Sequence, residues 1–431
     1  MPASQSYDLT ELEGGIRVVS ERLPGARSVA VGAWIGSGSR DEPSPRAGIA
    51  HLIEHMVFKG GTRYDALRIA QVFDGLGSEL NAATSREQTA VTTRVLDEHL
   101  PIALDVMADM LTAPTWVELE PEREVVLEEI AMYEDDPQEL VHDLLGAAVF
   151  GATDPLGRPV IGSASTVGAI DREALGAWHA EMYTGPNMVM AAAGSVDHAD
   201  FVARVEALWG SLSSAPRPDG VPSAALAGAV PRRIFTERDT EQYHVCVGAP
   251  GLPRHDERRF AVALLDTMLG AAASSRLFQE IREKRGMAYS VYSYAAHYAE
   301  TGQVGVYLGT RAENLRECLG LVREQVEDLI SNGPAADELA RAKENLKGRV
   351  LLSMEYASAR MSRLARSVLG GIEILSLDEI ADRIDAVTHE LIVEVAAELL
   401  DPARLSLVGI GPDGSRFDEA VAEIAPALVE A

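Results

Sequence analysis

The feature that most constrains the fold is a duplication: one succession of strand and helix signals runs twice, on either side of a segment rich in Pro, Ala, Ser and Gly at 212–232. In the first half an alternating, β-branched run at Ser28–Ile35 precedes helical segments. A strand pattern at Thr89–Leu96, a helix near His99–Leu111 and an acidic helix from Pro121 follow. In the second half a strand pattern from Tyr243 to Gly248 leads to a helix over Arg259–Leu269. A strand at Gly302–Leu308, a helix at Glu313–Ile330 and a charged helix after Pro334 complete the parallel. The spacing predicts two copies of one α+β unit: a domain at 1–211, a linker at 212–232 and a homologous domain at 233–431. Each copy is expected to be a mostly antiparallel sheet covered by helices on one face.

The charge balance is acidic, with 66 Asp and Glu against 38 Lys and Arg and a formal net charge of −28. Such a chain repels phosphate backbones and anionic lipid, so neither nucleic acid nor a membrane is expected as a partner, and cationic substrates suit it better. Acidity of this size also serves solubility alone. Cys246 and Cys318 are the two cysteines, which excludes a disulfide framework or a cysteine metal cluster and fits a reducing compartment. The sequence does not open with a basic segment followed by an apolar core, and no run approaches about 18 uninterrupted apolar residues. A cytoplasmic location is expected.

The chemistry is concentrated in Gly48-Ile-Ala-His51-Leu-Ile-Glu54-His55-Met-Val-Phe58. Apolar residues around it support a helix, where positions four apart share a face, so His51 and His55 can converge on one ion. Neutral imidazole is a good zinc ligand, and a carboxylate such as Glu54 beside a zinc-bound water can take its proton. The order His-x-x-Glu-His inverts the commoner His-Glu-x-x-His arrangement. A catalytic zinc needs a third protein ligand and one open position. The acidic helix from Pro121 supplies candidates. Glu122 and Glu129 are seven residues apart and share a helical face, so one can bind metal while the other orients a ligand; spacing alone does not choose between Glu128 and Glu129.

Several stretches in order resemble the pitrilysin or insulinase family of zinc peptidases, in the branch of mitochondrial processing peptidase and its bacterial relatives. They are Gly36-Ser-Gly-Ser-Arg-Asp-Glu42, His51-Leu-Ile-Glu-His55-Met-Val-Phe-Lys-Gly-Gly-Thr62, Leu80-Asn-Ala-Ala-Thr-Ser-Arg-Glu-Gln-Thr89, Glu122-Arg-Glu-Val-Val-Leu-Glu-Glu-Ile130 and the run from Ser275 to Ser290. The resemblance implies a LuxS-like, processing-peptidase-like metalloenzyme fold, with Glu129 as third ligand and Glu122 as its supporting glutamate. It implies Glu54 as general base, with Arg282 and Tyr289 of the second half holding substrate and helping to stabilise the oxyanion. Asn81, Ala82, Ala83 and Thr84 resemble the family's edge strand, on which an extended peptide pairs through main-chain hydrogen bonds. Many relatives carry a glycine-rich loop where this chain has Leu269-Gly-Ala-Ala-Ala-Ser-Ser275, so a flexible loop is not carried over.

The function expected is that of a zinc metalloendopeptidase acting on unfolded, preferably basic peptides. The second half lacks histidine in its corresponding helix, so one zinc per chain is expected. A homodimer is expected, with Arg282 and Tyr289 of one protomer serving the zinc residues of the other. Two rival readings are a non-catalytic assembly subunit of the same fold and the catalytic half of a heterodimer. Both would be expected to lack one of the two functional sets that this chain retains.

Overall fold

The structure is a computed structural model that describes residues 7–218, 220, 223 and 230–429. Much of the linker expected at 212–232 therefore lies outside the described residues, as do residues 1–6. The chain forms two compact units. The first comprises Met1–Ala131, Pro159–Pro222 and Leu351–Leu377; the second comprises Met132–Arg158, Ser223–Val350 and Asp378–Ala431. Each unit thus contains one segment from the far side of 212–232.

In the first unit the strands are β1 (Tyr7–Glu11), β2 (Arg17–Arg22), β3 (Ser28–Ile35), β4 (Leu80–Thr84), β5 (Thr89–Leu96) and β6 (Met188–Gly194). Among the described residues they form one sheet in the order β1-β2-β6-β3-β5-β4. Only β2 and β6 run parallel. Along β5 the buried residues Thr89, Val91, Thr93 and Val95 alternate with more exposed ones, which is the period-2 pattern that marks the strand. Helices Ile49–Val57, Leu100–Thr112 and His198–Trp209 pack on the core face through residues such as Leu52, Ile53, Leu104, Met107 and Phe201.

Helices were expected on one face of the sheet, and the structure corrects this. The opposite face is covered by the helix Ala357–Gly370, whose Met361, Leu364 and Ala365 pack on Trp34, Ala30, Val189 and Ala191. The physical reason lies in β3 and β6, which are buried along nearly their whole length on both faces. A strand with no solvated side must be roofed twice. Full burial of a side chain such as Leu364 contributes about 1.5–3 kcal/mol.

The second unit repeats the plan with β7 (Arg233–Glu237), β8 (Tyr243–Gly251), β9 (Ala288–His297), β10 (Gly302–Thr310) and β11 (Ser406–Gly411), in the order β7-β11-β8-β10-β9. That order matches β2-β6-β3-β5-β4, and again a single pair, β7 with β11, is parallel. Its core face carries helices Arg259–Asp266, Leu315–Ser331, His389–Leu399 and Gly414–Ile424. The helix expected over Arg259–Leu269 ends at Asp266 and continues as a π-helical turn, Thr267–Ala271. Gly270 lies so close to β9 that an added Cβ would come 2.3 Å from the Ser293 nitrogen.

The second face is covered by the helix Pro137–Phe150. Its His142 bridges the hydroxyls of Tyr294 and Tyr292, at 2.9 Å on each ring nitrogen. A neutral imidazole offers one donor and one acceptor, so both contacts are satisfied at once. Burial holds the His142 pKa down and favours that neutral form. No helix among the described residues is long and apolar enough to cross a membrane.

Candidate metal centre

The site lies in the first unit, where the 49–57 helix faces the helix Leu119–Asp135. The 49–57 helix buries Ile49, Leu52, Ile53, Met56 and Val57 in the core and leaves Glu54 and His55 half-buried. Its start is set by Gly48 at φ +94°, where a Cβ would also meet the Ile161 carbonyl at 2.6 Å. The buried Glu42 carboxylate caps this end, accepting from the backbone N–H of Gly48 and of Ala50 at 2.8 Å each. A carboxylate there satisfies free N–H groups and complements the helix dipole.

The 119–135 helix buries Leu119, Glu122, Val126 and Ile130. That phase brings Glu122 and Glu129 toward the histidines and leaves Glu128 exposed. Glu122 Oε1 lies 2.9 Å from His55 Nδ1, and Lys59 Nζ lies 2.5 Å from Glu122 Oε2. Glu129 Oε2 lies 3.3 Å from His55 Nε2 and 3.8 Å from His51 Nε2. One ligand atom from each of His51, His55 and Glu129 falls within 4.8 Å of the others.

These residues suit a zinc ion by their chemistry. When His55 is neutral, donation from Nδ1 to Glu122 leaves the lone pair of Nε2 aimed at the Glu129 carboxylate. Two acceptors facing each other repel unless a cation lies between them. Tetrahedral bonds of about 2.0–2.1 Å to zinc put neighbouring ligand atoms about 3.3 Å apart, close to the spacings seen. Burial pushes the His51 pKa down to about 4, so the ring is held neutral as a ligand must be. Its Nδ1 is buried with no hydrogen-bond partner among the described residues.

Glu54 is outside the ligand group but beside it. Burial raises its pKa, while the Thr84 hydroxyl, the charge of His55 and the Thr84 backbone pull the other way. Its Oε2 is buried without a partner among the described residues. Thr84 ends β4, which lies at the sheet edge and pairs only with β5. Along β4, Leu80, Ala82 and Thr84 are half-buried while Asn81 and Ala83 are exposed. The edge strand therefore runs up to the Glu54 carboxyl.

Arg282 and Tyr289 belong to the second unit, where the structure brings them together. The Arg282 guanidinium lies 4.7 Å from the Phe278 ring centre and 4.8 Å from that of Tyr289, a cation–π stack that fixes a long side chain. Tyr289, at the start of β9, is 78% exposed, unusual for an aromatic ring. Three residues with no role assigned from sequence now have structural ones. Lys59 and Glu42 were legible as charged neighbours of the motif, whereas Asp109 carried no local signal. The Asp109 carboxylate accepts from the Thr62 hydroxyl at 3.0 Å and from the backbone N–H of Arg63 and Tyr64 at 2.9 and 3.0 Å, clamping the loop after the 49–57 helix.

A family model described as Insulinase (Peptidase family M16) matches residues 17–164, and one described as the Peptidase M16 inactive domain matches residues 169–346. An uncharacterized zinc protease of Streptomyces coelicolor is 42% identical over 96% of this chain and 92% of its own length. One of Bacillus subtilis is 38% identical over 94% of this chain and 98% of its own length. Among solved structures, a peptidase M16 inactive domain from Pseudomonas fluorescens has a TM-score of 0.87 at 24% identity, covering 94% of this chain and 98% of that one. A protease from Helicobacter pylori has a TM-score of 0.87 at 20% identity, covering 95% of this chain and all 100% of that one. With the two models matching successive stretches that together span most of it, the chain belongs to the insulinase family, peptidase family M16.

Proposed function

We propose that this protein is a zinc metalloendopeptidase that hydrolyses peptide bonds in extended, unfolded chains, with one zinc held by His51, His55 and Glu129. The observation that carries this reading is the convergence of His51 Nε2, His55 Nε2 and a Glu129 oxygen, with a separate half-buried carboxyl, Glu54, next to the group. Zinc, when bound, would polarise the scissile carbonyl and make a water acidic near neutral pH. Glu54 accepts the proton of that water and returns it to the leaving amine; its burial raises its basicity and suits it to both steps. The substrate backbone adds to the free edge of β4 near Asn81, Ala82, Ala83 and Thr84, which leads it to Glu54. Glu122 keeps His55 in the tautomer that presents Nε2. Arg282 and Tyr289 hold the substrate and help stabilise the developing oxyanion, an effect worth roughly 3 kcal/mol for one well-placed donor.

Relatives named zinc proteases support this class of activity. The test is hydrolysis of a random library of short peptides, read by mass spectrometry, together with one stable folded protein. The wild type should cut the peptides and leave the folded core intact. Glu54→Gln should keep its zinc and lose turnover by several orders of magnitude. Near-normal turnover in that variant would remove Glu54 from the mechanism.

A further inference from the structure

We infer that Lys59 is a positioning residue for the metal centre, acting through Glu122 on His55; this rests on the reading of the site as a zinc centre. Glu122 is a buried carboxylate whose two oxygens are divided. Oε1 holds His55 Nδ1 at 2.9 Å and Oε2 holds Lys59 Nζ at 2.5 Å. The Glu122 side chain is 8% exposed and that of Lys59 28%, so the pair is shielded from water more than a surface ion pair. A buried carboxylate deprived of its cation is costly and turns to whatever donor remains. With the ammonium on one oxygen, the carboxylate plane is fixed and the other oxygen stays on the imidazole.

That matters because the terminal torsion of histidine is soft, and the ring direction is set by the hydrogen bond at the far nitrogen. Lys59 is itself held by a built loop. Its backbone N–H donates to the Met56 carbonyl at 3.0 Å, Gly60 turns the chain at φ +113°, and Gly61 N–H donates to the Tyr64 carbonyl at 2.9 Å. Beyond it, the Asp109 carboxylate takes the Thr62 hydroxyl and the N–H groups of Arg63 and Tyr64. Burial alone would raise the Asp109 pKa, yet those donors hold the carboxyl below its ordinary value. The ammonium is thus placed by the chain on both sides rather than swinging freely.

The test uses the full-length protein stripped of metal, with zinc affinity read by competition against a chromophoric chelator and ligand geometry read from the absorption spectrum of the cobalt-substituted protein. Lys59→Met should weaken zinc binding on the order of tenfold, the lower end of the range for lost supporting partners, and shift the cobalt spectrum. Lys59→Arg should restore most of both, since a guanidinium can donate to the same oxygen. In a Glu122→Gln background, Lys59→Met should change affinity less than about twofold, because the two residues act in series. Thermal melting of the metal-free proteins separates a folding defect from a metal defect, and Lys59→Gln carries the same comparison if Lys59→Met does not fold. Unchanged affinity in Lys59→Met, or an equal loss in the Glu122→Gln background, would overturn the inference while leaving the zinc reading in place. A wild-type protein that binds no zinc at all would instead overturn both.

Discussion

The two units share a strand order and differ in what fills the same place. In the first, the helix after β3 carries His51, Glu54 and His55 against Glu122 and Glu129. In the second, the helix after β8 buries Ala261, Val262, Leu264 and Leu265 and has no histidine. The core of the second unit holds a cavity of about 30 Å³, lined among others by Val247, Val262, Leu265 and Leu269. A single acid stands there: Asp266, raised in pKa by burial, accepts from the Ser293 hydroxyl at 2.5 Å. The second unit builds its sheet and helices with no histidine in that helix, so the shared fold does not itself call for His51 and His55, and buried polar groups are costly unless paired.

The largest effect that sharpens this comparison is on the metal. Glu129→Gln should lose most of the zinc from purified protein, whereas Glu128→Gln, on the exposed side of the same helix, should keep it. Equal losses would mean that the acidic helix acts through its charge rather than through one ligand. A smaller effect concerns the helices that each unit takes from across 212–232. Leu364 is fully buried against the apolar face that includes Trp34, so Leu364→Ala should destabilise the protein by about 2–5 kcal/mol in denaturant titration. His142→Ala should cost less, about 1–3 kcal/mol, through the lost hydrogen bonds to the hydroxyls of Tyr292 and Tyr294. A reversed order would show that the hydrogen-bonded interface, not the apolar one, holds its unit more strongly.

Much of this was legible in the residues because the signals are local. The runs at 28–35, 89–96 and 302–308 are strands because β-branched residues alternate there, and the His-x-x-Glu-His spacing puts two imidazoles on one helical face. The rotation of the 119–135 helix was not legible, since acidic residues occupy several of its faces and only packing of Val126 and Ile130 reveals which glutamates turn inward. The second roof of each sheet was missed for a different reason. Periodicity shows that the 357–370 helix has an apolar face but not which sheet that face covers, and such a contact joins residues far apart in sequence. The uninterrupted run Met188-Val-Met-Ala-Ala-Ala-Gly194 was the available clue, because a strand with no polar alternation is buried on both sides. Lys59 and Asp109 act through side-chain contacts of a kind no spacing rule encodes.

The most direct test of the central claim is anomalous X-ray scattering at the zinc edge from crystals of zinc-loaded protein. The account predicts one peak per chain, in the first unit, within bonding distance of one nitrogen each from His51 and His55 and one oxygen of Glu129. A peak coordinated by other residues, a second peak of equal weight in the second unit, or no peak after loading would contradict it.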